Sequence, residues 1–190
     1  RPDGTASWSL DLTGSRAASE YLRELLEPLD ENARAEALRR IAAVSRPSLN
    51  RVTAQTSGIQ NTRKRMKITL SGHDSEALNK FATGLQGEVP PLIAPALAAW
   101  LPPNIRIREF VDIVPPMGVE VIHHTEPPSQ VGPDAWLSSS IVQNGRRIRM
   151  TTEVERPYRG TTAGREESAR SFLHTSALQG VELVLHAPIN

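Results

Sequence analysis

Apolar and polar residues alternate strictly from Thr5 to Leu12. Ala6, Trp8, Leu10 and Leu12 share one face, and Thr5, Ser7, Ser9 and Asp11 share the other. A period of two marks a half-buried strand, and Pro2-Asp3-Gly4 supplies the turn that opens it. At Ser15 the period changes. Ala18, Tyr21, Leu22, Leu25 and Leu29 recur at spacings of three and four, which predicts a helix with Ser15 as its N-cap. Pro28 ends or kinks that helix, because proline lacks the amide the next turn needs. Asp30 caps a second helix with Ala33, Ala37, Leu38 and Ile41 inward, stopped before Pro47 by the backbone restriction on Arg46.

Strands are predicted at Asn50–Thr56 and Lys64–Leu70, joined by a loop holding Gly58 and Asn61. Met66, Ile68 and Leu70 share one face of the second. Ser75–Leu85 reads as a short helix. Pro90, Pro91, Pro95, Pro102 and Pro103 punctuate an apolar stretch read as an ordered connector, with one helical turn around Ala96–Trp100 and a boundary between two halves.

The second half reads as β. Ile105–Val111 and Met117–His124 are strands separated by Pro115-Pro116. Asn144-Gly145 is the strongest local signal, since this pair suits the positive φ angles of a type I′ turn, here between Leu137–Gln143 and Arg147–Glu155. On the second arm Ile148, Met150, Thr152 and Val154 face one way, and Arg147, Arg149, Thr151 and Glu153 the other. Arg165–Ser176 forms a helix with Ala169, Phe172 and Leu173 inward, and Val181–Leu185 closes the chain as a strand.

The expected fold class is therefore α+β, predominantly antiparallel β. Subdomain 1–100 would hold a sheet with helices covering one face, and 104–190 a small antiparallel β-sandwich around the Asn144-Gly145 hairpin.

Composition narrows the function classes. The 190 residues carry a net charge of +1, which supplies no large field to attract nucleic acid or an anionic membrane. With no cysteine there is no disulfide, thiolate metal site or cysteine nucleophile in this sequence. No run approaches the roughly 20 apolar residues that span a bilayer, so membrane insertion is not expected. A start at Arg1, without a charged and apolar leader, predicts a processed product or excised piece whose targeting signal lies elsewhere.

Each candidate chemistry has a plainer reading beside it. His123-His124, with Glu120 and Glu126, is the only histidine pair, but adjacent strand residues point to opposite faces and a zinc site needs three or four converging ligands. No metal and no cofactor is expected. An enzyme site assembled from Glu120, His123 and distant acids stays open as a third reading. Ser138, Ser139 and Ser140 lie in a strand without the Gly-x-Ser-x-Gly elbow of a hydrolase, and no catalytic residue is assigned.

The basic runs Arg63-Lys64-Arg65-Lys67 and Arg146, Arg147, Arg149 have no interleaved aromatics, so a solvated sheet face is expected rather than a nucleic-acid surface. Trp8 and Trp136 are read as core, whereas Trp100 among prolines is left open as a binding platform. Trp100, Arg147 and Arg149 are the candidate binding residues.

One resemblance adds to this reading. Asp3-Gly4-Thr5-Ala6 leads into the first strand, which ends Leu12-Thr13-Gly14. Tyr21-Leu22-Arg23 and Arg34–Arg40 then lie on helices. Later come Arg108, Pro115-Pro116, Glu120-Val121-Ile122, Pro127-Pro128 and the hairpin Asn144-Gly145-Arg146-Arg147. This order resembles the β-rich region downstream of the papain-like core in exported bacterial transglutaminase-like proteins. The resemblance implies a Cys-His-Asp site outside this chain and a periplasmic or extracellular location. Its implied partners are other domains of the same parent protein or a component of the cell envelope. The leading expectation is a non-catalytic accessory or interaction module of an exported multidomain bacterial protein; the alternative is a free-standing peptide- or glycan-binding β module.

Overall fold

Trp8, Leu10, Leu12, Ile107, Val111, Met150 and Val154 are all nearly inaccessible, and they occupy alternate positions on three adjacent strands. The computed structural model describes residues 6–45, 47–74, 86–89, 93–101, 103–115, 120–124, 130–131, 135–157, 163–177 and 181–186. Its strands are β1 (Ala6–Gly14), β2 (Leu49–Ser57), β3 (Lys67–Asp74), β4 (Gln86–Val89), β5 (Ile105–Ile113), β6 (Glu120–His124), β7 (Gln130–Val131), β8 (Trp136–Asn144), β9 (Arg147–Glu155) and β10 (Val181–His186). Its helices are α1 (Arg16–Leu26), α2 (Glu31–Ser45), α3 (Ile93–Trp100) and α4 (Ala163–Ala177). The α+β class with mainly antiparallel pairing is what alternation predicted. The expected helix at Ser75–Leu85, the opening turn Pro2-Asp3-Gly4 and Glu126 lie outside the described residues.

Among the described residues the strands form a seven-stranded sheet in the order β2-β3-β1-β5-β9-β8-β7 and a three-stranded sheet β4-β10-β6. Strands from both sides of the expected boundary share the larger sheet. β1 pairs with β5 from Ala6↔Ile113 to Gly14↔Ile105, an unbroken antiparallel ladder. β5, β8 and β9 are thus not set apart as a C-terminal sandwich, and the division at 100–104 does not divide the sheet. The reason is that the apolar face of β1 continues laterally into those of β5 and β9. Keeping one wide face buried on one set of helices leaves fewer sheet edges than building two small cores.

Helix phases differ from the sequence reading. On α1 the buried residues are Ala18, Ser19, Leu22, Arg23 and Leu26, while Tyr21 and Leu25 are exposed. The inward stripe is rotated because two polar residues on it are satisfied by the fold. Ser19 Oγ donates to the Gly14 carbonyl at 3.3 Å and accepts from the Met66 amide at 3.0 Å. Arg23, 4 % exposed, donates to the carbonyls of Gly58, Asn61 and Lys64. On α2 it is Leu38 and Ala42 that are buried, with Ile41 exposed, while Arg34 reaches back to the carbonyls of Leu26 and Leu29 and closes the corner between the helices. Both predicted N-caps form: Ser15 Oγ accepts from Ala18, and Asp30 Oδ1 accepts from Ala33 at 2.8 Å.

The hairpin turn also differs. Register pairs Asn144 with Arg147, so the two loop residues are Gly145 and Arg146 rather than Asn144 and Gly145. Gly145 has φ +58°, and neither Asn144 nor Arg146 has a positive φ. Positive φ at the first loop position alone is the type II′ pattern, which also matches the twist of the flanking strands. The face assignment on β9 stands as predicted, with Ile148, Met150, Thr152 and Val154 buried.

Candidate functional site

The buried face of the seven-stranded sheet carries the core, and its helices contribute Leu22, Leu38, Ala98 and Leu173 to the same cluster. The opposite face is charged. Cross-strand register aligns Arg106 with Glu155, Arg108 with Glu153 and Asp112 with Arg149 between β5 and β9. Alternation dictates this composition: each outward position lies between two buried ones, most of them apolar, and outward charges facing one another across the strands stabilise the sheet by pairing.

Two clusters stand on this face. At one end Arg147 and Arg149 both grip Asp112. Each guanidinium sends Nε to Oδ1, at 3.1 Å and 2.8 Å, and Nη2 to Oδ2 at 2.8 Å. Arg149 also lies over the Phe110 ring, 5.9 Å from its centroid. Burial alone pushes the Asp112 carboxyl up, but the hydrogen bonds and positive charge of Arg149 and Arg147 outweigh it and hold it below the usual carboxylate range. The bond to Asp112 in turn raises Arg149, which fixes its charge.

At the other end Arg106 donates to Glu155 at 2.8 Å and approaches Glu153 at 3.1 Å, and Arg108 donates to Glu153 at 2.7 Å. Arg106 lies over Trp136, 5.9 Å from its centroid. Its hydrogen bond to Glu155 raises its pKa further. Lys67 pairs with Asp11 at 3.1 Å, and Thr69 donates to the same carboxylate at 2.7 Å.

The sequence-predicted residues are only partly brought together. Arg147 and Arg149 share one carboxylate, whereas Trp100 ends α3, the helix whose first amides bond Glu109 on the buried side of the sheet. The helix that ends at Trp100 and the two arginines thus lie on opposite sides of the sheet. The basic run splits between the loop (Arg63, Lys64, Arg65) and the start of β3 (Lys67). Ser139 and Thr152 share a hydrogen bond across the strands at 3.0 Å. His123 and His124 pair with Val184 and Leu183, successive positions of the β6–β10 ladder. Among the described residues no group of three His, Asp or Glu is placed to hold a metal ion, and no helix is long and apolar enough to cross a membrane.

Two residues escaped the sequence reading. Asp112 looked like an ordinary outward acid, and only the register with β9 gives it two arginines. Glu109 stood at an inward position among Ile105, Ile107, Val111 and Ile113, and that placement of an acid on an apolar stripe was the signal available.

Compared with protein-family models, with curated proteins and with solved structures, the chain matches none.

Proposed function

We propose that the chain is a non-catalytic interaction module of an exported multidomain bacterial protein, and that its open sheet face docks a neighbouring domain of that protein. The observation that carries this reading is the Asp112 cluster. Two arginines and an aromatic ring are locked in place on an exposed face before any partner arrives. Arginine and aromatic residues are enriched at interfaces and dominate their hot spots. Side chains already ordered by carboxylates lose little further freedom on binding. Two guanidinium groups on one carboxylate leave a local excess of positive charge, which complements an acidic patch on the partner. The resemblance to the region downstream of a papain-like core supports the choice of partner and a periplasmic or extracellular setting.

The test is binding in trans. The purified chain is titrated by calorimetry with the remainder of its parent protein. Saturable binding, weakened at least tenfold by Phe110→Ala or by Arg147→Glu in a variant that still unfolds cooperatively well above the assay temperature, is the expected result. No binding, or turnover of amide, ester or glycoside substrates abolished by a point change within the chain, would overturn it.

A second reading, a free-standing peptide- or glycan-binding module, is favoured by the groove of about 330 Å³ beside this cluster. Hydroxyls of Ser7, Ser9, Thr53 and Ser71 line it with His73 and Asp112. Glycan-array binding in the absence of any binding to the parent would select this reading instead.

A further inference from the structure

Both ends of the open face hold one more basic side chain than carboxylate, but at the Asp112 end each arginine is held through two nitrogens, and at the other end the donors are engaged unequally. Between β3, β1 and β5 lies a groove of about 470 Å³, lined by Arg65, Lys67, Arg106 and Arg108 together with Asp11 and Glu155. That volume falls within the roughly 300–1,000 Å³ of small-molecule sites. Glu153 also pairs with Arg106 and Arg108, so three carboxylates face four basic side chains.

Arg108 uses only its Nε, on Glu153, and Arg106 uses Nε and Nη2. Among the described residues no acceptor bonds the Arg65 guanidinium or the two terminal nitrogens of Arg108. A guanidinium presents five donors in a fixed planar fork that matches a carboxylate or phosphate. Here two such forks are ordered at the stem by carboxylates, a third is unclaimed, and an ammonium stands beside them.

The wall of the groove is held as well. Asn104 adopts a left-handed φ of +64°, its amide donates to the Arg156 carbonyl at 2.7 Å, and its carbonyl accepts from the Ser15 amide at 2.8 Å. This backbone clamp ties the start of β5 to the start of α1 and sets the position from which Arg106 and Arg108 project.

We infer that this groove binds an oxyanion, the carboxylate or phosphate group of a small organic ligand, through Arg65, Lys67 and Arg108. The inference goes beyond the docking reading and does not rest on it. Asp112 lies four residues past Arg108 on β5, about 13 Å at the usual rise of a strand, so the two sites can be disabled separately.

The experiment titrates the purified chain with citrate and, separately, with inorganic phosphate, following backbone amide resonances. Saturable shifts at Thr13, Gly14 and Lys67 are expected, weakening as salt is added. Whichever anion saturates at lower concentration identifies a carboxylate or a phosphate as the natural group. Arg65→Ala and Arg108→Gln should each weaken binding about tenfold, the effect of losing one charge-assisted contact. Arg147→Gln, at the other end of the face, should leave it unchanged. Arg65 is exposed and unpaired among the described residues, so its variant reports on binding even if Arg108→Gln disturbs the fold. No saturable shift with either anion would overturn the inference, as would shifts that ignore Arg65→Ala.

Discussion

The indole nitrogen of Trp8 donates to Glu109 Oε1 at 2.9 Å, joining two buried side chains 101 residues apart in the chain. The other oxygen of Glu109 accepts from the amides of Ile93 and Ala94, at 2.7 Å and 2.9 Å, the first turn of α3. One carboxylate therefore answers the indole of β1 and caps a helix whose first amides have no partner within the helix itself. Negative charge at a helix N-terminus is favourable, and it is most so where water is excluded. This explains how an acid 1 % exposed sits in an apolar layer.

Replacing Glu109 with Gln keeps its shape but turns a donor toward either the indole or the two amides. The expected loss is about 2–3 kcal/mol of unfolding free energy, from buried donors left without an acceptor. Trp8→Phe should cost about 1–3 kcal/mol. Guanidinium unfolding at neutral pH measures both. A loss below about 0.5 kcal/mol in each would mean that the contact contributes little.

Asp112 sets an acid limit to stability. Its folded pKa lies below the unfolded value of about 3.9, so the contribution of its two arginine pairs is complete above that value. It is lost as pH falls through the folded pKa. Arg147 and Arg149 are half exposed, so solvent screening limits the effect, and Asp112→Asn should cost about 1 kcal/mol at pH 7. The difference between the two proteins should shrink steadily as pH falls below about 4. A difference that stays constant down to acid unfolding would assign the effect to packing rather than charge.

The turn is tested by its two neighbouring residues. Gly145→Val should destabilise by about 1–3 kcal/mol, because a β-branched residue resists the positive φ there. No atom lies within 4 Å of an added Cβ at Gly145, so the cost is conformational rather than steric crowding by neighbours. Asn144→Val should stay within about 0.5 kcal/mol, since Asn144 ends a strand with ordinary φ. The reverse order, read from thermal melts, would restore a loop centred on Asn144-Gly145.

Much of this was legible before folding. The inward residues of β1 and β9, the caps Ser15 and Asp30, and the inward face of α4 through Ala169 and Leu173 follow from period and cap chemistry. The α1 stripe misled because Tyr21 and Leu25 are the more apolar residues, yet Ser19 and Arg23 are the ones that find partners. A hydrophobicity count cannot anticipate that the loop carbonyls of Gly58, Asn61 and Lys64 will gather around one guanidinium. In the candidate site, Arg147 and Arg149 were visible as an outward pair. Asp112 as their shared partner was not, nor was the placement of α3, the helix that ends at Trp100, on the other side of the sheet.

The amino-acid order by itself determined which side of β1 and of β9 is wet, because side-chain direction in a strand repeats every two residues and needs no knowledge of the neighbours. Tertiary structure alone decided that β1 lies between β3 and β5, that Asp112 meets two arginines, and that Glu109 meets Trp8. Those outcomes depend on register between segments up to a hundred residues apart. Many such registers would bury the same apolar faces, and only the three-dimensional packing of the whole sheet and its helices selects one.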